Sequence, residues 1–148
     1  MPGPINAGIL GIGVHVPDKI LTNEDLENMV DTSDEWIKSR SGIQQRHIAA
    51  PEECTSDFAV EAAQKALANA HLSPENIDLI IVSTNTPDML FPATACLVQN
   101  KLGASKAGAF DLLAGCSGFV YGLSVATQYL SLIHIYAFED WQGPTIDV

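Results

Sequence analysis

Residues 5–16 run Ile-Asn-Ala-Gly-Ile-Leu-Gly-Ile-Gly-Val-His-Val between Pro4 and Pro17, and this apolar, glycine-rich run predicts a strand. Thr22 is placed to cap a short helix reaching about Val30, and Thr32-Ser33-Asp34-Glu35 fits a capping box with Thr32 as the cap. The helix after that box carries Trp36, Ile37 and Arg40, and Gly42 suits its stop. Ser56 is expected to open a longer helix, on which Phe58, Ala59, Ala62, Ala63, Ala66, Leu67 and Ala70 form a stripe of helical period. Alanine dominates that stripe, so the helix can sit close to its neighbour.

Ser73-Pro74-Glu75-Asn76 reads as a turn, and Leu79-Ile80-Ile81-Val82 after it is a continuous aliphatic run. Such a run predicts a strand of a parallel sheet, covered by helices on both faces. Pro92 suits the first turn of the next helix, which ends before Gly103. Ala107 to Leu113 is a further strand, and Ser117 to about Leu130 a helix with Phe119, Leu123, Ala126 and Leu130 on one side. Strands alternating with helices in this way predict an α/β fold.

Gly11-Ile12-Gly13 resembles the start of a dinucleotide fingerprint, but position 16 holds Val16 rather than the third glycine, and no helix pattern follows directly. Both the spacing and the context fail. The glycines fit a strand whose backbone is approached closely by another segment.

Composition narrows the class. Of 148 residues, 47% are hydrophobic and 17% charged, which excludes a disordered chain. The net charge of −11, from 18 acids and 7 bases, argues against nucleic acid as a partner. Glu24, Asp25, Glu27, Asp31, Asp34 and Glu35 crowd one stretch, which reads as a solvated helical face. No apolar run has the length of a membrane span, and no basic segment followed by an apolar block opens the chain. No membrane partner is therefore expected, and the sparse cysteine usage makes a reducing, cytoplasmic setting the default. The cysteines Cys54, Cys96 and Cys116 are odd in number and lack metal-ligand spacing, so neither a disulfide framework nor a metal site is expected.

Candidate chemistry concentrates in Phe110-Asp111-Leu112-Leu113-Ala114-Gly115-Cys116-Ser117-Gly118-Phe119. A strand ends, small residues turn the chain, and Cys116 stands where a helix begins. Unpaired N–H groups and the positive end of the helix dipole favour a thiolate there and can hold a developing oxyanion. Gly115 and Gly118 leave room for substrate and close packing. The pattern is that of a nucleophile on a sharp turn, although it does not match G-x-S-x-G. Position alone equally allows Cys116 to be a small buried residue. Cys54, after Glu52 and Glu53, reads as an inert loop residue, and Cys96 as part of a helix core.

Three segments together carry a family resemblance: Asp31-Thr32-Ser33-Asp34-Glu35-Trp36-Ile37 with Arg40 and Gly42-Ile43; Arg46-His47-Ile48-Ala49; and Ala114-Gly115-Cys116-Ser117-Gly118-Phe119. They strongly resemble the β-ketoacyl-[acyl-carrier-protein] synthase III family of thiolase-like condensing enzymes. The similarity runs almost without a gap from about Ile9 to Leu130. It implies the first half of a layered αβαβα thiolase-like fold.

The resemblance also implies a function, an acyltransferase that starts type II fatty acid synthesis. Cys116 matches the acyl-accepting cysteine, which would attack acetyl-CoA or a similar short acyl-CoA. Malonyl-acyl-carrier protein would then lose carbon dioxide and condense with the acyl group. No cofactor is implied; acyl-CoA and the malonyl-acyl-carrier protein are substrates. Thr32, Trp36 and Arg40 match residues at the CoA nucleotide, with Trp36 stacking on adenine and Arg40 on its other side. Phe91 matches a position that shapes the acyl pocket across a homodimer interface. Taken without the resemblance, Trp36 reads first as an anchor of its helix on a core and Arg40 as a surface ion pair with Asp34 or Glu35, and Phe91 could equally pack internally. His47 matches a position read as structural, and His15 and His71 read as loop or edge residues. Related condensing enzymes that make polyketide or other secondary-metabolite starters share the Cys116 chemistry and form the alternative.

The family also needs a histidine and an asparagine, which in its members lie downstream in a second half. His15, His47 and His71 match other positions. Residues 1–130 therefore read as an N-terminal half-domain, inactive by itself in condensation, and a non-catalytic fragment is the reading from another class. Residues 131–148 do not resemble the family. Ser131-Leu132-Ile133-His134-Ile135 is one translated frame of a common transposase adapter, so the tail is expected to come from a truncated coding sequence joined to foreign nucleotides.

Overall fold

A computed structural model describes residues 7–135, with side chains described up to residue 130. One group of elements comprises β1 (Lys19–Thr22), α1 (Asn23–Glu27), α2 (Asp34–Ser41) and β2 (Gln45–Ile48). The other comprises α3 (Thr55–Ala70), β3 (Leu79–Ser83), α4 (Thr94–Leu102), β4 (Gly108–Leu112) and α5 (Gly118–Ile135). Within each group the elements pack on one another.

In the first group β1 and β2 pair antiparallel, from Lys19 opposite Ile48 to Thr22 opposite Gln45. Thr22 caps α1 as its sequence predicts: its hydroxyl accepts the Asp25 N–H at 3.1 Å, and Asp25 Oδ2 accepts the Thr22 N–H at 2.9 Å. The cap of α2 is Ser33, not Thr32, and Ser33 Oγ accepts the Trp36 N–H at 3.1 Å. The one-residue shift leaves Asp34 on the first turn, where its carboxylate meets Asn23 and Lys38. Gly42 closes α2 in the left-handed conformation, φ 72°.

The second group is a crossover unit. β3 and β4 are parallel, from Leu79 beside Gly108 to Ser83 beside Leu112, with α4 on the connection between them. α3 packs on α4, α4 on both strands, and α5 on β3. Val60, Ala95, Val98, Ala104 and Ala107 form the buried apolar core. Two helix starts differ from expectation. α3 opens at Thr55, one residue before Ser56, behind a Cys54 N-cap whose N–H donates to Asp57 Oδ2 at 2.9 Å. Pro92 precedes the Ala93 cap of α4, since Asp111 captures the Thr94 and Ala95 N–H groups, each at 2.7 Å, and so sets where the helix begins.

Of the strand expected over residues 5–16, the described part, residues 7–16, joins no ladder. Its apolar pattern is that of a strand, but no strand lies beside it among the described residues, and a ladder needs a partner. The segment instead lies along α3. The Ile12 N–H donates to Asn69 Oδ1 at 3.2 Å, and Lys65 Nζ donates to the Val14 carbonyl at 3.0 Å. A Cβ on Gly11 would collide with the Ala66 carbonyl, and one on Gly13 with that of Ala62. Close backbone approach is thus what these glycines allow, against a helix rather than a strand.

Leu79 to Val82 are half-buried, short of the burial on both faces expected of them. β4 is the single ladder partner of β3 among the described residues. A groove between β3 and α5 is lined by Ile77, Leu79, Ile81, Phe119, Leu123 and Ala126. α5 begins at Gly118 after a 3₁₀ turn over Gly115–Ser117, and its backbone stays helical past residue 130 to Ile135. The rest of the tail set apart in the sequence lies outside the described residues.

Candidate functional site

Because β3 and β4 are parallel, the loops that follow them emerge at the same end of the sheet, where α/β folds place their ligands. The loop after β4 carries Cys116. Leu112 ends the strand, Gly115 turns the chain with φ 54°, and the Ser117 N–H closes the 3₁₀ turn on the Ala114 carbonyl at 3.1 Å. Cys116 is exposed at the N-terminal end of α5. Among the described residues nothing buries its thiol. Gly118 lets α5 start against β3, since a Cβ there would collide with the Ser83 hydroxyl.

The loop after β3 carries Phe91. Its base is pinned: the Asp88 N–H donates to Thr94 Oγ1 at 3.1 Å, and the Ser56 N–H donates to Asp88 Oδ1 at 2.9 Å. Lys101 Nζ completes the anchor, donating to Ser56 Oγ at 2.7 Å and Asp57 Oδ1 at 2.6 Å. Above this base Leu90 and Phe91 project, 99% and 88% exposed, and the Phe91–Pro92 peptide is cis. Phe91 thus does not pack internally among the described residues. The Gly115 N–H donates to Asn85 Oδ1 at 3.4 Å, which joins the two loops.

The remaining candidates lie in the first group of elements. Trp36 and Arg40 stand four residues apart on one face of α2. Trp36 is 59% exposed, so it does not anchor the helix on a core. Asp34 pairs with Lys38 at 2.7 Å, and Arg40 makes no ion pair among the described residues. Thr32 is half-buried just before the Ser33 cap. The structure thus brings Thr32, Trp36 and Arg40 together on the α1–α2 unit, and Cys116 and Phe91 at the sheet end. The two clusters sit on different groups of elements.

No family model matches the chain. Curated relatives do. β-Ketoacyl-[acyl-carrier-protein] synthase III of Caldanaerobacter subterraneus is 61% identical over 126 residues, covering 85% of this chain and 38% of that protein. Among solved structures, 3-oxoacyl-[acyl-carrier-protein] synthase III from Aquifex aeolicus superposes with a TM-score of 0.80 at 53% identity, over 83% of this chain and 40% of that one. The chain matches the N-terminal part of the β-ketoacyl-[acyl-carrier-protein] synthase III family. Its fold is thiolase-like α/β, as the sequence predicts. The priming β-ketosynthase of the R1128 polyketide pathway is also similar, with a TM-score of 0.76 at 37% identity, over 84% of this chain and 39% of that one. The chain spans about two fifths of the length of the relatives it matches.

Other residues of the chain hold structural posts. His47 Nδ1 lies 2.6 Å from the Pro17 carbonyl, His15 stacks on Phe58, and His71 is the left-handed C-cap of α3. Cys96 is half-buried in α4, and Cys54 is exposed at the α3 cap. The acidic stretch is mostly exposed, as expected, yet three of its members do local work, Glu27 by accepting the Asp34 N–H. Backbone and hydroxyl hydrogen bonds from Thr22 hold Asp25 below the usual carboxylate range, and hydrogen bonds from Lys38 and then Asn23 do so for Asp34. Among the described residues no cluster of His, Cys, Asp and Glu could hold a metal ion, and no helix is long and apolar enough to cross a membrane.

Three site-shaping residues escape a reading of the sequence: Ser83 behind Gly118, Asn85 beside Gly115, and Asp111 under the start of α4. Each acts on a residue distant in sequence. The one available signal was the parallel strand pair, which sets 83–86 and 113–116 at a common end.

Proposed function

We propose that this chain carries the acyl-accepting centre of the synthase that initiates type II fatty acid synthesis. The observation that carries the reading is the exposed Cys116 thiol on a glycine turn at the head of α5. Cys116 Sγ attacks the thioester carbonyl of acetyl-CoA or another short acyl-CoA. The carbon–sulfur bond to CoA breaks, and CoA leaves as the free thiol after taking the cysteine proton. Backbone N–H groups and the positive end of α5 stabilise the oxyanion of the intermediate.

The CoA nucleotide lies against α2, stacked on the Trp36 indole with the Arg40 guanidinium on its other side and Thr32 nearby. The exposure of Trp36 and the freedom of Arg40 from ion pairs among the described residues support this placement. A guanidinium can stack and neutralise phosphate together. In the whole protein, malonyl-acyl-carrier protein then loses carbon dioxide, its carbanion attacks the acyl-cysteine, and β-ketoacyl-carrier protein departs. Those later steps belong to parts of the synthase beyond this chain. The projecting Phe91 supports a pocket completed across a homodimer, in a cytoplasmic enzyme whose partners are acyl-carrier protein and acyl-CoA. A secondary-metabolite starter synthase is the second reading, favoured by the likeness to the polyketide priming enzyme but at lower identity.

Incubating the purified chain with radiolabelled acetyl-CoA, then with malonyl-acyl-carrier protein, tests the reading. Label is expected on Cys116, absent from Cys116→Ala, and not passed to carrier protein. Absence of label from a folded preparation refutes the nucleophile; formation of acetoacetyl-carrier protein refutes the restriction to acylation.

A further inference from the structure

We propose that Asn23 is a positioning residue for the nucleotide-binding face of α2, an inference that rests on the reading of Trp36 and Arg40 as CoA contacts. Asn23 is polar yet only 1% exposed. Every part of its amide is engaged. Nδ2 donates to Asp34 Oδ1 at 2.8 Å and to the Ile43 carbonyl at 2.8 Å, and Oδ1 accepts from Arg46 Nη2 at 2.7 Å. Its backbone N–H donates to the Gln44 carbonyl at 3.3 Å.

The two acceptors of Nδ2 bracket a helix. Asp34 is the first residue of α2, and Ile43 follows the Gly42 cap that ends it. One amide nitrogen therefore holds both ends of α2. Arg46 ties the same amide to the sheet, its Nη1 donating to the Leu21 carbonyl at 3.2 Å.

Apolar packing can do little of this work, because no residue of α2 is fully buried and its one apolar residue besides Trp36, Ile37, is only half-buried. A helix without a buried face takes its orientation from polar ties, and a buried, fully satisfied network fixes one geometry. Stacking on Trp36 with Arg40 opposite demands such a fixed pitch, since small misplacements of binding groups cost much of their effect. Asn is suited to the post: it offers two donors toward the acceptors Asp34 and Ile43 while keeping an acceptor for Arg46.

The test uses the 148-residue chain. Asn23→Asp keeps the shape but turns both donors into acceptors facing Asp34 and Ile43. Asn23→Asp with Asp34→Asn reverses the polarity of the first bond and restores it. Three readouts are CoA affinity by calorimetry, amide exchange by segment, and the rate at which iodoacetamide alkylates Cys116. Asn23→Asp is expected to weaken CoA binding about tenfold and to speed exchange in α2, leaving α3, β3 and β4 protected. Alkylation of Cys116 stays within about twofold, and the double variant recovers at least half of the lost affinity, on a logarithmic scale.

Unchanged CoA affinity in Asn23→Asp overturns the proposal while leaving the Trp36 and Arg40 reading intact. Faster exchange across both groups of elements overturns it too, by making Asn23 a global stabiliser. If the unmodified chain, folded, binds no CoA, the reading of Trp36 and Arg40 fails first and this proposal falls with it.

Discussion

Gly118 faces Ser83 at a distance that a side chain cannot occupy: a Cβ on Gly118 would collide with the Ser83 hydroxyl and lie 3.2 Å from Ser83 Cβ. The first residue of the helix behind Cys116 is thereby seated on the last residue of β3. Replacing glycine by alanine in a helix ordinarily stabilises it by about 0.5–1 kcal/mol. Here the sign should reverse. Gly118→Ala is expected to cost about 1–3 kcal/mol through overpacking and to slow acyl transfer to Cys116. Ser83→Ala removes the colliding oxygen, so the double variant should be more stable than the two single costs predict. Urea unfolding of the four proteins measures the coupling, and additive costs would show the contact to be slack.

The exposure of Trp36 separates binding from stability. Trp36→Ala is expected to change stability by no more than about 0.5 kcal/mol, because the indole buries little. CoA binding should nevertheless be lost to within detection. Arg40→Lys should behave like Arg40→Ala, since an ammonium cannot lie flat on a purine. Calorimetric titration with CoA, beside thermal melting of the same samples, checks both. A Trp36→Ala chain that melts far below the parent would return the indole to a structural post.

Three aspartates make the chain acid-sensitive. Asp25 is held low by the Thr22 backbone and hydroxyl, Asp34 by Lys38 and then Asn23, and Asp57 by Lys101 and then the Cys54 N–H. Each has a folded value below its unfolded value of about 3.9, so its contribution is complete above that pH and disappears as pH falls through the folded value. Melting temperature should thus be flat near neutrality and decline below about pH 4. Asn at positions 25, 34 and 57 together should lower stability at neutral pH and flatten that decline. A triple variant with the parent's slope in acid would assign the sensitivity to other groups.

Local chemistry was legible. The Thr22 cap, the glycine stops at Gly42 and Gly103, the aliphatic run of β3 and the turn bearing Cys116 all depend on residues within a few positions of one another. What failed needed distant partners. Thr32 and Ser33 are both competent caps, and the choice fell to Ser33 in a setting where Asp34 meets Asn23, eleven positions away. Residues 7–16 have a strand's pattern without a strand beside them, and their glycines serve the approach of α3.

The sequence by itself determined where chain direction changes, which thiol sits at a helix start, and that Trp36 and Arg40 share a face, because backbone preference and helical period act over a turn or two. Tertiary structure alone decided that Cys116 is exposed, that Asn85 reaches Gly115, and that a single buried amide holds both ends of α2. Those outcomes hinge on which polar groups lose water and must find partners across the fold, and no local pattern encodes that pairing.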